Sequence, residues 1–112
     1  MEDTIKQQIM TQPDKSKYII DGWCRFFGIN KESLSDMSGA RSSIWSKKRY
    51  LVLALNDNTA YGSQEIADIV GYRERSNVAY HIKRLREELS EKIYGQDKTK
   101  KIYKEFIAYL NL

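Results

Sequence analysis

The stretch SQEIADIVGYRERSNVAYHIKRL, residues 63–85, decides the fold of this 112-residue chain. In its first third, Ile66, Ile69 and Val70 stand at i, i+3 and i+4 with the small Ala67 beside them, the spacing of one apolar helical face. Gly62 or Ser63 starts that helix, and Gly71 stops it, since glycine accepts the left-handed backbone of a helix end. Tyr72-Arg73-Glu74-Arg75 forms a turn. From Glu74 or Ser76 a longer helix begins, in which Val78, Ile82, Leu85 and Leu89 recur at i, i+4, i+7 and i+11. A short helix, a turn and a long helix make the packing of a helix-turn-helix. Ala67 lets the two axes approach, and Val78 fills the angle between them. Val78 stands eleven positions after Ala67, one more than in the common repressor pattern, so the turn is the longer kind.

Upstream, residues 44–55 read as another helix, with Trp45, Lys48, Val52 and Leu55 on one side and Ile44 and Leu51 adjoining. The run YLVLAL would suit a buried strand by periodicity alone. Length and the lack of any partner strand decide for a helix, capped by Ser42 or Ser43 and ended by Asn56-Asp57-Asn58. Ser38-Gly39-Ala40 is a loop, and Asn30 caps a short helix over 31–37 carrying Leu34 and Met37. Ile20, Trp23, Cys24 and Phe27 form the face of a helix running from Tyr18 to its stop at Gly28. Residues 1–16 show no period and read as a flexible tail, leaving 17–112 as the folded domain. Downstream, Gly95-Gln96-Asp97 breaks the long helix, and a last helix carries Ile102, Tyr103, Phe106, Ile107 and Leu110. The expectation is a single all-α domain of five or six helices.

Composition removes several function classes. One cysteine, Cys24, forms no internal disulfide, and with a single histidine, His81, no Cys/His metal cage is available. A Ser–His–Asp triad is poorly supported, and no carboxylate pair or metal-ligand spacing marks an enzyme. No run of 18 apolar residues offers a membrane span, and the polar N-terminal stretch does not read as a signal peptide. The expected compartment is a thiol-reducing cytoplasm. A G-x-x-x-x-G-K-[ST] loop is missing, so no nucleotide and no other cofactor is expected.

Charge then points to a partner. Nineteen Lys and Arg against fifteen Asp and Glu give +4, but distribution matters more than the sum. Residues 1–40 are net −1, residues 41–60 net +3, and residues 73–86 net +4, with only Glu74 opposing Arg73, Arg75, Lys83, Arg84 and Arg86. Such runs are most often solvated faces. Here they flank a helix-turn-helix. The first turn of its second helix offers Arg75, Ser76 and Asn77 on the side away from Val78; arginine suits the O6/N7 edge of guanine and asparagine the N6/N7 edge of adenine. The helix N-termini of this region also face phosphate favourably.

The same stretch resembles the C-terminal DNA-binding domain of the bacterial replication initiator DnaA. That family reads E-I-G-x-x-F-G-G-R-D-H-T-T-V, and Glu65, Ile66, Gly71, Arg73 and Val78 match it in register, with Ser63 at the head of the stretch. Phe26-Phe27-Gly28-Ile29 looks like the aromatic pair ending the family's first helix, and Asn30 to Leu34 like its short second helix. The resemblance covers roughly residues 20–110 and implies a fold similar to that of the Trp repressor. It implies that Glu74, Arg75, Ser76 and Asn77 read the major groove, that Arg73 holds phosphate, and that Arg49, in the long helix before the motif, enters the minor groove. The family's D-H-T-T has become Glu-Arg-Ser-Asn, so a different base sequence is implied. Its second turn glycine has become Tyr72, which would be strained at positive φ.

The function expected is sequence-specific binding of double-stranded DNA without enzymatic activity, in replication initiation or its regulation. Arg75, Ser76 and Asn77 would read bases, Arg49 the minor groove, and Lys47, Lys48, Arg73, Lys83 and Arg84 would neutralise phosphates. The alternatives are a transcriptional regulator of a mobile element and a helical protein–protein interaction module. Elsewhere, Trp23, Phe26, Phe27 and Cys24 read as core, and Trp45 as packing or a nucleic-acid contact. Tyr94, Tyr103 and Tyr109 read as rim residues, His81 as a surface histidine, and Lys98, Lys100, Lys101 and Lys104 as a solvated face.

Overall fold

The computed structural model describes residues 11–32, 43–72, 74–90 and 97–111. They form five helices and no strand: α1 (Gln12–Phe27), α2 (Ser43–Asn58), α3 (Ser63–Val70), α4 (Arg75–Leu89) and α5 (Asp97–Leu110). The chain is an all-α domain with one apolar core. Among the described residues no helix is long and apolar enough to cross a membrane. The expected helix over 31–37 is represented by a 3₁₀ turn at Lys31-Glu32; its remainder, the cap at Ser42, Tyr94 and the Gly95-Gln96 break lie outside the described residues.

Helix α1 starts six residues before Tyr18, inside what reads as tail in the sequence. Thr11 Oγ1 accepts from the backbone N–H of Asp14 at 3.2 Å, Pro13 occupies the first turn, and Asp14 places a carboxylate at the positive end. This turn has no apolar residue, so periodicity does not see it. At the other end Gly28 takes the left-handed conformation, φ 66°, as its position after Phe27 predicts.

Helix α2 is the central element and packs against α1, α3 and α4. All six residues of its YLVLAL run are at most 4% exposed, so it is apolar on every side rather than amphipathic. That explains why the run resembles a buried strand. It outlasts its expected end: Asn56-Asp57-Asn58 is its last turn, with Asn58 Nδ2 donating to the Ala54 carbonyl at 2.8 Å. Thr59 then closes it through its hydroxyl on the Leu55 carbonyl at 2.6 Å.

Aromatic rings join α1, α2 and α5. Trp23 is fully buried, and its Nε1–H donates to the Lys47 carbonyl at 2.9 Å. Phe26 and Phe27 meet edge-on at 4.9 Å, and both pack on Phe106 of α5. The Tyr18 hydroxyl donates to the Leu110 carbonyl at 2.5 Å. Trp23 and Phe106 belong to the core, and Tyr18, Phe26, Phe27 and Cys24 lie half-buried against it, where burial raises the Cys24 thiol pKa. Tyr103 is half-buried at the edge of the core and stacks near Tyr50, in keeping with a rim residue.

Candidate nucleic-acid interface

Helices α3 and α4 pack against each other, and Ala67, Val78, Ile66 and Val70 are all fully buried. Gly71 has φ 81°, and its N–H, followed by that of Tyr72 at 2.8 Å, donates to the Ala67 carbonyl. Helix α4 starts after Glu74, which is extended at φ −129°. The N-terminus of α3 is closed by Glu65, whose Oε1 accepts from the Gly62 N–H at 3.1 Å.

Tyr72 does not take the positive φ at which a tyrosine would be strained. Among the described residues only Asn111 is a non-glycine with positive φ. The ring of Tyr72 turns inward, 4% exposed, and stacks on His81 at 5.4 Å. Burial pushes its phenol well above the usual tyrosine range. One glycine therefore makes the turn, and the neighbouring position contributes a core residue.

The leading end of α4 faces solvent. Glu74, Arg75 and Ser76 are exposed and Asn77 is half-exposed. Ser76 Oγ donates to Glu74 Oε2 at 3.2 Å, which orients the carboxylate across the first turn. Between the starts of α3 and α4 lies a cleft of about 520 Å³ lined by Gly62, Ser63, Gln64, Arg75, Ser76 and Ala79. Lys83 and Arg84 are exposed further along α4. Arg84 Nε lies 3.4 Å from Glu88 Oε2, an i, i+4 pair. Arg73 lies outside the described residues.

The long helix departs from expectation. Lys48, expected at a phosphate, is 2% exposed, and its ammonium lies 5.5 Å from the Tyr72 ring centroid; a group so placed offers no charge to a phosphate at the surface. Arg49, expected in a minor groove, points into the protein. Its Nη1 donates to Glu88 Oε2 at 2.7 Å, and its Nη2 reaches Tyr50 Oη at 3.2 Å and Thr99 Oγ1 at 3.5 Å. Lys47 is half-exposed and lines a separate cleft of about 310 Å³ with Arg49, Lys98 and Thr99. The two segments of the positive charge are thus unequal: the one on α4 faces outward, while that of α2 is partly internal.

His81 also differs from its reading as a surface residue. It is half-buried, and burial, followed by the charge of Arg49, lowers its pKa. Lys98, Lys101 and Lys104 are exposed and Lys100 half-exposed, in keeping with a solvated face. The side chain of Trp45 lies outside the described residues. Comparison with protein-family models, with curated proteins and with solved structures returned no match for this chain.

Proposed function

We propose that the chain binds double-stranded DNA in a sequence-specific manner, with α4 as a recognition helix supported by α3, in the manner of the DnaA C-terminal domain that residues 63–85 resemble. The observation that carries this reading is the solvent-facing first turn of α4. There a guanidinium, a hydroxyl and a carboxamide, on Arg75, Ser76 and Asn77, stand on a helix whose opposite side is anchored by Val78 at 0% exposure. Arg75 supplies two parallel donors for a guanine edge, Asn77 a donor and an acceptor for adenine, and Glu74 an acceptor for the cytosine amino group. Lys83 and Arg84 neutralise backbone phosphates. With Lys48 and Arg49 directed inward, the reading concentrates on the major groove, and the role is binding rather than catalysis. Replication initiation or its regulation is the setting the resemblance implies.

The test is selection of bound sequences from a random duplex library, followed by titration of the winner at several salt concentrations. A defined consensus and a steep fall of affinity with salt are expected. Absence of duplex binding in dilute buffer would end the reading. A protein-interaction module is the second reading, favoured by the inward turn of two cations of the 41–49 segment. It would show a partner affinity nearly insensitive to salt.

A further inference from the structure

Beyond its first turn, α4 carries an exposed aromatic side chain. Tyr80 is 63% exposed, and with Tyr109 it is one of two large hydrophobic side chains in the open among the described residues. Tyr109 still lays its ring against Phe26 at 5.5 Å. Tyr80 meets the edge of its neighbour His81, at 5.5 Å, and is not among the described residues packed on the core. At 100° per residue, Ser76, Tyr80, Lys83 and Glu87 share the face of α4 opposite Val78 and Leu85. All four are exposed, whereas Val78 and Leu85 are fully buried. The ring therefore stands one helical turn beyond Ser76, with Lys83 one turn further on. A shallow depression lined by Tyr80, Lys83, Arg84 and Glu87 adjoins it.

An aromatic ring between a hydroxyl and two cations combines an apolar contact with flanking phosphate anchors. In the major groove the apolar feature that distinguishes one base is the C5-methyl group of thymine. We propose that Tyr80 is a specificity-determining residue that packs its ring on a thymine methyl about one helical turn along the groove from the contact of Ser76. This inference rests on the DNA-reading role of α4 proposed above. A ring acting through its carbon face needs no hydroxyl, so phenylalanine replaces it and alanine does not.

The experiment uses the full chain and the duplex it selects, with each thymine replaced in turn by deoxyuridine, which deletes only the methyl. Wild type is expected to lose roughly tenfold in affinity at one thymine, the size of a single mismatched contact. Tyr80→Phe keeps that penalty, and Tyr80→Ala abolishes it while binding the uridine duplex as tightly as the thymine one. Circular dichroism melting of the three proteins verifies that this exposed position leaves the fold unchanged. If wild type is indifferent to every methyl, or Tyr80→Ala keeps the same penalty, the assignment is overturned while DNA reading by Arg75–Asn77 stands. Loss of the penalty in Tyr80→Phe overturns it in favour of a hydroxyl contact. A wild-type chain that binds no duplex overturns both readings together.

Discussion

Arg49 and Glu88 are joined at 2.7 Å across 39 positions of sequence, tying α2 to the last turns of α4. Glu88 is 5% exposed and also accepts from Thr99 Oγ1 at 3.2 Å, so one carboxylate holds together three helices: α2, α4 and α5. Removing one partner of a buried pair leaves the other charge desolvated without compensation. Glu88→Ala should therefore destabilise by about 3 kcal/mol, at the lower end for buried pairs because part of the Arg49 side chain remains in water. The double variant Arg49→Met/Glu88→Ala should recover part of that loss. Urea unfolding of the four proteins of this cycle measures it; a single-variant cost below about 1 kcal/mol, the range of exposed pairs, would show that the network contributes little.

The turn between α3 and α4 depends on one residue. Gly71 sits at φ 81°, where a Cβ meets the following carbonyl oxygen at a cost of about 1–2 kcal/mol. Gly71→Ala should lower unfolding free energy by that amount, and Gly71→Asn by less, because asparagine tolerates the left-handed region. Equal stability of the alanine variant and wild type in denaturant would mean that the turn relaxes to another backbone. In that case the angle presenting Arg75–Asn77 is not fixed by this glycine.

The cations divide into two groups that a salt titration separates. Lys83 is exposed on α4, whereas Lys48 is buried against Tyr72. If α4 binds DNA, Lys83→Ala should reduce the slope of log affinity against log salt by about 0.9, one phosphate contact. Lys48→Met keeps the apolar stem and should leave that slope unchanged, while losing a cation–π contact of about 0.5–2 kcal/mol from stability. A slope altered by Lys48→Met would place that ammonium at the surface of the complex.

These outcomes follow from how local and tertiary information are divided in the chain. The order of the helices, the glycine stops at Gly28 and Gly71, and the burial of Ala67 and Val78 are written in short-range spacing, and residues 63–85 could be read directly. The start of α1 was not legible by period, because Thr11, Pro13 and Asp14 form a polar cap with no apolar repeat. The inward course of Lys48 and Arg49 was hidden for another reason. A lysine or arginine in a basic run looks solvent-facing until its partner is known, and Glu88 lies on a different helix. Tyr72 follows the same logic: a bulky residue at the family's second turn glycine reads as strain until its φ is known, and here it is not positive. Tyr80 was not singled out by the spacing of the sequence, because only its exposure in the folded chain separates it from the aromatic residues that pack inside.

His81 links the same region to pH. Burial first, and the positive charge of Arg49 second, hold its pKa below the ordinary value of 6.5. The rings of Tyr72 and Tyr80 flank it, and the Lys48 side chain packs on the same Tyr72 ring. Because the folded pKa is depressed, the unfolded chain binds the proton more readily. The stability contributed by the neutral imidazole is complete above pH 6.5 and is lost as pH falls from there through the folded value. Wild type should thus lose more stability between pH 7.5 and pH 5 than His81→Gln, whose side chain does not titrate; both proteins share the carboxylates, so the difference between the two profiles isolates the imidazole. Urea midpoints across this range measure it. Parallel profiles would mean that the ring is as hydrated in the folded chain as in the unfolded one, and a steeper loss in His81→Gln would reverse the sign argued here.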